Sequence, residues 1–229
     1  IMSGISLLNS NKKITDDTIN DAISGNLCRC TGYSPIIKAI KSVANDRIVK
    51  NNNQTINKNK KNKLGNVTYF KPSNLKELKN YLNDVKDFQF LAGGTDLNLY
   101  RPIINQKEDN IICLDSIKEL NYIKHHKEKI ELGGAVTIEN FLEAIKSKMP
   151  QLIEILQRFG SPQIRNQGTI GGNLCTSSPI GDIAPILLVL NSNLKVFGRN
   201  GFKKINIKNF FKGYRKNILK KDEIISSLE

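Results

Sequence analysis

The sequence predicts an α+β protein in two parts, and three observations carry that reading. The first fifty residues show helical start, stop and periodicity signals around one short loop. A stretch rich in Lys and Asn, from 50 to 63, then breaks the pattern. Beyond it, short strand-like apolar runs alternate with helical stripes, and two glycine-rich segments punctuate them.

The first part reads as follows. Thr15 is followed by Asp16 and Asp17, which suits a capped helix start and the helix dipole. That helix is expected to reach about Ser24, with Gly25-Asn26 as its stop. The loop Leu27-Cys-Arg-Cys-Thr-Gly-Tyr33 comes next. Ser34 is expected to cap a second helix, with Pro35 at its first position and Ile36, Ile37, Ile40 and Val43 on its apolar stripe.

Between 50 and 63 there is a single apolar residue amid like charges. Such a stretch cannot bury enough surface to offset its ordering entropy, so it reads as an exposed linker. The expected organisation is a partial helical domain over 1–49, a flexible linker over 50–63 and a larger domain over 64–229. A basic docking tail is the alternative reading of the lysine block.

In the second part Val67–Phe70 is strand-like, and Leu75, Leu78 and Leu82 repeat at helical spacing after Pro72-Ser73. Phe88–Leu91 reads as a strand running into Ala92-Gly-Gly-Thr-Asp96. Ile111–Leu114 and Lys129–Leu132 read as strands, and Ile138–Ile145 and Leu152–Phe159 as helices. Gly168–Ser178 reads as a glycine-rich loop before a helical Ile183–Leu190. Leu194–Phe197 and Lys204–Ile207 add strands, and Asp222–Glu229 is a strand-like run.

Composition narrows the functional classes. Apolar residues at 39% and charged residues at 24% are ordinary for a soluble globular protein. No apolar run approaches the roughly 20 residues of a membrane span, and no signal peptide is visible at the N-terminus. A chain opening on Ile1 and closing in a strand-like run is expected to be an internal piece of a longer protein. The net charge of +14 raises nucleic acid as a partner, but the lysines are scattered and no aromatic platform alternates with them. No nucleic-acid function is expected. Four cysteines in 229 residues do not make a secreted disulfide scaffold, so a reducing cytoplasm is the simpler location. Cys113, in a strand-like run, reads as a small buried hydrophobe.

Three segments carry chemistry. Cys28-Arg29-Cys30 places two thiols one residue apart in a loop between helices. Two such thiolates do not make a tetrahedral zinc site, and His125 and His126 lie far along the chain in a lysine-rich stretch. The loop suits part of an iron–sulfur cluster, although by spacing alone plain structural cysteines remain the simpler reading. A [2Fe–2S] cluster takes four thiolates, and only these two lie in this part of the chain.

The second segment is Phe90-Leu-Ala-Gly-Gly-Thr-Asp-Leu97. A strand entering Gly-Gly is a tight turn, and its exposed amides suit a phosphate. A plain turn is the competing reading, and the Rossmann fingerprint is absent. The third segment runs from Gln163 to Asp182, where Gly168, Gly171, Gly172 and Gly181 punctuate small hydroxyl and amide side chains. Such a run can wrap a polar, phosphate-bearing ligand, with Asp182 accepting from sugar hydroxyls. A purely structural loop is the alternative.

Together these strings carry a resemblance. Gly25-Asn-Leu-Cys-Arg-Cys-Thr-Gly-Tyr-Ser-Pro-Ile36 resembles the second-cluster segment of the molybdenum hydroxylase iron–sulfur domain. Ala92-Gly-Gly-Thr-Asp96 and Gln163–Asp182 resemble the FAD domain of the xanthine dehydrogenase-type members, and Asn209–Arg215 and Asp222–Ile225 fit the same pattern. The resemblance implies the C-terminal helices of a [2Fe-2S]-binding four-helix domain, followed by a C-terminally truncated VAO/PCMH-like FAD-binding domain of two α/β lobes. It implies FAD contacts at Leu91, Ala92, Gly93, Gly94, Thr95, Asp96 and Leu97, which line the pyrophosphate. Further implied contacts are Phe159, Thr169, Gly172, Asn173, Thr176, Ser178, Asp182 and Ile225. Cys28 and Cys30 would supply two of the four cluster ligands, and Cys175 would be a packing residue.

The order of cluster segment, linker and flavin domain in one chain implies an electron-transfer subunit of a xanthine dehydrogenase-like enzyme. The alternative is the corresponding subunit of another molybdenum hydroxylase, of aldehyde, nicotinate or carbon monoxide dehydrogenase type. In that reading electrons move from a molybdenum centre on a separate large subunit, through [2Fe-2S] clusters, to FAD and then NAD+. A hetero-oligomer is expected, and no residue of this chain is expected to act as general acid or base.

Overall fold

The structure is a computed structural model that describes residues 1–10, 12–45, 60–100 and 109–229. Helices α1 (Met2–Leu8), α2 (Asp16–Ile23) and α3 (Ser34–Ser42) come first, followed by strands β1 (Lys61–Leu64) and β2 (Val67–Phe70). Then follow α4 (Leu75–Asp84), β3 (Gln89–Leu91), α5 (Leu97–Tyr100), β4 (Asp109–Cys113), β5 (Ile123–His125) and β6 (Ile130–Gly133). Five helices succeed them: α6 (Ile138–Ile145), α7 (Ile153–Gln157), α8 (Pro162–Arg165), α9 (Ile170–Thr176) and α10 (Ile183–Val189). The chain closes with β7 (Asn193–Gly198), β8 (Gly201–Asn206), β9 (Phe211–Gly213), β10 (Lys216–Asn217) and β11 (Ile224–Leu228). None of the described helices is long and apolar enough to cross a membrane.

Contacts divide the chain into two units. One comprises the described residues of Ile1–Asn57 with Gly160–Ile164, the other those of Lys58–Phe159 and Arg165–Glu229.

In the first unit α2 starts as its sequence demands. Thr15 Oγ1 accepts from the Thr18 amide at 3.2 Å, while Thr18 Oγ1 accepts from the Thr15 amide at 2.9 Å, forming a capping box. Leu7, Ile19 and Ile23 form a small apolar cluster with Ile36, Ile37 and Ile40 packed against it. Gln163 joins this unit by donating from Nε2 to Ser3 Oγ and to the Ala22 carbonyl. Helix α3 departs from expectation at both ends. Its cap is Tyr33, at φ +65°, and Ser34 is already helical. The reason is local: the Cys28 amide donates to the Tyr33 hydroxyl and the Ser34 amide to the Gly32 carbonyl, so the turn closes one residue early. At the other end α3 stops at Ser42, which leaves Val43 exposed rather than on the apolar stripe.

The second unit holds two principal sheets. The smaller has the order β1-β2-β4-β3, with β2, β4 and β3 parallel and β1 antiparallel at the edge. The larger is antiparallel in the order β5-β6-β11-β7-β8, and β9-β10 form a separate hairpin. Helix α4 is capped by Asn74, whose side chain accepts from the Glu77 amide, and it buries Leu78 and Leu82. Helix α6 coincides with its predicted span and buries Ile138, Phe141, Leu142 and Ile145, the one-face spacing of an amphipathic helix. Fully burying such side chains stabilises by about 1.5–3 kcal/mol each. Ala135, Phe197 and Ile224 join the apolar cluster beneath the smaller sheet, which ties the two sheets together.

Of the expected linker over 50–63, the part up to residue 59 lies outside the described residues. Its end is not loose: Lys61–Leu64 pairs with Val67–Phe70 as an edge strand. An edge strand needs only a main-chain partner and leaves its side chains in water, so lysine-rich composition does not preclude it. The predicted helix over 152–159 is reduced to a 3₁₀ turn and the short α7. The strand predicted up to Ile207 ends at Asn206, where Ile207 enters a 3₁₀ turn.

Candidate functional site

Three main-chain segments of the second unit converge through their glycines. The first leaves β3, whose terminal Leu91 carbonyl accepts from the Leu114 amide, and turns through Gly93 and Gly94 into α5. Gly94 takes φ +72°, the left-handed turn anticipated for Gly-Gly. Gly93 lies against the second segment: a Cβ built there would fall 1.7 Å from the Gln167 carbonyl oxygen and 3.0 Å from the Gly168 nitrogen. The two glycine-rich strings thus touch backbone to backbone.

The second segment continues from Gly168 into Thr169 and α9. Its expected loop is instead mostly helix. Thr169 is the cap, its Oγ1 accepting from the Gly172 amide at 3.0 Å. Ile170, Gly171 and Leu174 are buried on one face, and that packing outweighs the poor helix propensity of two glycines. Gly172, Asn173 and Thr176 remain half-buried on the other side.

The third segment lies outside the site expected from sequence, although the Gly133-Gly134 doublet at the end of β6 is the same kind of signal as Gly93-Gly94. Gly171 donates to the Gly134 carbonyl at 2.9 Å, and Gly134 donates to the Ser226 carbonyl at 2.9 Å. A Cβ at Gly134 would lie 2.0 Å from the Ile225 carbonyl oxygen, and one at Gly171 would lie 2.6 Å from that of Gly134. Main chain therefore packs on main chain from Gly93 to Gln167-Gly168, and from Gly171 through Gly134 to β11.

The expected contact residues take distinct places around this seam. Leu91, Ala92, Gly93, Gly94, Thr95, Asp96 and Leu97 are all half-buried along the first segment. Phe159 is half-buried and packs against the main apolar cluster. The Thr176 hydroxyl donates back to the Asn173 carbonyl at 2.7 Å, and the Ser178 hydroxyl accepts from the Ile180 amide. Asp182 is exposed at the start of α10 with no capping bond, so its carboxylate is open to an incoming hydroxyl. Ile225 differs in kind: its side chain is buried in the main core, and its carbonyl is what reaches the seam at Gly134. Cys175 packs against the same core, and burial pushes its thiol up to about 12, as suits a packing residue.

Charge frames the site. Arg165, buried just ahead of Gly168, pairs with Glu139 at 2.7 Å and donates to the Gln157 carbonyl at 2.9 Å. Asp96 pairs with Arg215 at 2.7 Å. Arg215, in the hairpin between β9 and β10, was missed as a site residue because its contact with Asp96 spans most of the domain's sequence.

The first unit presents the paired thiols. Cys28 is half-buried, its amide tied to Tyr33 and its sulfur 3.3 Å from the Thr31 hydroxyl, while Cys30 is exposed. The Thr31 contact holds the Cys28 thiol below its ordinary pKa. Among the described residues no group of three or more His, Cys, Asp or Glu side chains is placed to hold a metal ion. The fit to a [2Fe-2S] cluster is thus that of two adjacent thiolates from one loop, with further ligands needed.

Comparison with known proteins identifies both parts. The family described as the FAD binding domain in molybdopterin dehydrogenase matches residues 63–229. The chain belongs to that family. A [2Fe-2S] binding domain matches residues 1–41, so the cofactors of this molybdopterin dehydrogenase-type chain are FAD and [2Fe-2S]. The chain is 26% identical over its whole length to the xanthine dehydrogenase/oxidase of Rattus norvegicus, of which it spans 22%. It is 36% identical to the nicotinate dehydrogenase FAD-subunit of Eubacterium barkeri, over 70% of this chain and 56% of that one. The chain therefore covers about a fifth of the xanthine dehydrogenases it matches. The quinoline 2-oxidoreductase of Pseudomonas putida 86 has the same fold, with a TM-score of 0.64 at 22% identity over 70% of this chain and 57% of that one. The carbon monoxide dehydrogenase of Hydrogenophaga pseudoflava is equally similar, with a TM-score of 0.64 at 23% identity over the same shares.

Proposed function

We propose that this chain belongs to the electron-transfer side of a xanthine dehydrogenase-like enzyme, where electrons from hypoxanthine or xanthine oxidation at molybdenum travel through [2Fe-2S] clusters and FAD to NAD+. The observation that supports it best is the backbone contact of Gly93 with Gln167-Gly168, which brings both glycine-rich strings to one place. The match to xanthine dehydrogenases along the whole of this chain, which is about a fifth of theirs, adds the order of cluster segment and flavin domain within one chain.

In this reading FAD supplies the electron relay, and the protein orients it and tunes its electronics. Leu91–Leu97 offer main-chain amides beside a tight turn, which is where a diphosphate gains most from hydrogen bonds without side-chain bulk. The half-buried side of α9, with Gly172, Asn173 and Thr176, gives a narrow polar wall next to it. Asp182 accepts hydrogen bonds from sugar hydroxyls. Cys28 and Cys30 hold a cluster together with two thiolates from elsewhere in the full protein. The molybdenum cofactor sits on a separate large subunit, the assembly is a hetero-oligomer, and its place is the cytoplasm.

A second reading has its own support. The stronger identity to a nicotinate dehydrogenase FAD-subunit favours an N-heterocyclic acid as the substrate of the partner subunit. Assay of the assembled complex with xanthine and with nicotinate, NAD+ being the acceptor, separates the two. Xanthine turnover is expected, and nicotinate turnover without it would transfer the assignment. Gly172→Leu and Asp182→Leu in the full-length protein are expected to release flavin; undiminished flavin content in both would refute the site.

A further inference from the structure

We propose that Arg215 is a positioning residue that clasps the two glycine-rich segments together, an inference that rests on the flavin reading and deepens it. Arg215, in the β9-β10 hairpin, reaches both segments. Its Nη2 lies 2.7 Å from Asp96 Oδ2, in the turn after Gly93-Gly94. Its own amide donates to the Ser177 carbonyl at 3.2 Å, at the end of α9. The guanidinium fork and a main-chain group of the same residue therefore link the Thr95-Asp96 turn to the Thr176–Ser178 turn.

The backbone geometry supports a positioning role. Arg215 sits at φ +51° and Ser177 at φ +47°, and these two residues are hydrogen-bonded to each other. Left-handed conformations are unfavourable for side chains with a Cβ and persist where the surroundings over-determine them. Here the surroundings do so. Ser177 is held by the Leu174 carbonyl through both its amide and its hydroxyl, and Asn217 of the same hairpin donates to the Cys175 carbonyl at 2.9 Å. The Asp96 and Arg215 side chains are 36% and 33% exposed. A pair so placed adds little to folding by itself. Its effect lies in what it joins: Asp96 on the first segment and, through the Arg215 amide, Ser177 on the second, each segment bringing groups to the same ligand.

The test uses full-length protein loaded with FAD. Arg215→Gly removes the guanidinium while relaxing the positive φ, so a loss of binding is not explained by backbone strain. Arg215→Lys keeps a charge at the same place. Asp96→Asn removes the opposing charge. The Arg215→Gly variant is expected to release FAD about three to ten times faster than wild type, the range for losing a charged hydrogen bond that is partly solvated. Arg215→Lys should recover part of that loss, and Arg215→Gly with Asp96→Asn should release FAD no faster than the worse single variant. Wild-type release rates in Arg215→Gly, or fully additive effects in the double variant, would overturn the clasp while leaving the flavin site standing. A fall in apoprotein melting temperature that accounts for the faster release would also overturn it. Wild-type protein without any flavin would overturn both readings.

Discussion

Gly93→Ala is the sharpest perturbation of the seam. The added methyl would lie 1.7 Å from the Gln167 carbonyl oxygen, whereas Cβ contacts under 3.0 Å are essentially never observed, so the two segments must part by at least 3.0 − 1.7 = 1.3 Å. The obstacle is main chain on both sides, with no rotamer to move. Forcing a methyl into such a contact typically costs about 1–3 kcal/mol. A displacement of about 1 Å in groups that orient a reacting ligand can also cost about two orders of magnitude in rate. Gly65→Ala is the matched control, outside the proposed site. Its new methyl would meet nothing within 4 Å, and its main penalty is the left-handed φ, about 1 kcal/mol. Urea denaturation and flavin absorbance of purified full-length protein read the two effects together. Gly93→Ala should lose flavin and stability, and Gly65→Ala should keep most of its flavin. Equal flavin content in the two variants would show that the close approach at Gly93 is not what shapes the site.

Three further predictions follow from the same geometry. Glu139→Ala leaves the buried Arg165 guanidinium without its carboxylate and should lower unfolding free energy by about 3 kcal/mol, read as a fall in the urea midpoint. Thr169→Ala removes the cap of α9 and should cost about 1 kcal/mol in the same assay. Burial raises the Cys113 thiol to about 11 and that of Cys175 to about 12. Both therefore stay protonated at pH 8 and react only as the pH climbs toward those values, because the thiolate is the nucleophile. Mass spectrometry after iodoacetamide treatment of cluster-free native protein should find Cys30 labelled and Cys113 and Cys175 unmodified; early labelling of Cys175 would contradict its burial.

Sequence periodicity located α6 to the residue because its apolar positions share one face and its cap, Thr137, directly precedes them. The same approach read α9 as a loop. Glycine lowers local helix propensity, and nothing local records that Ile170 and Leu174 are fully buried or that Gly171 must approach Gly134 closely. Composition likewise missed β1, whose stability comes from pairing with β2 rather than from its own side chains. The local backbone of the candidate segments was legible where a motif is continuous, as for the turn through Gly93-Gly94 after β3 and the loop between α2 and α3 that carries Cys28 and Cys30. The site was illegible where the partner is remote, as with Arg215 and Asp96, or where a residue contributes its carbonyl rather than its side chain, as Ile225 does.

The larger sheet carries a consequence for how the protein is made. Strand β11 lies between β6 and β7, yet it is synthesised after both. Until Ile224–Leu228 leaves the ribosome, β6 and β7 have a vacant slot between them, with donors and acceptors facing it. Such open edges invite pairing with other chains, and sheets that wait for distant segments form slowly. The nascent domain therefore carries these unfilled edges through the interval between the emergence of β7 and the arrival of the strand that fills the gap.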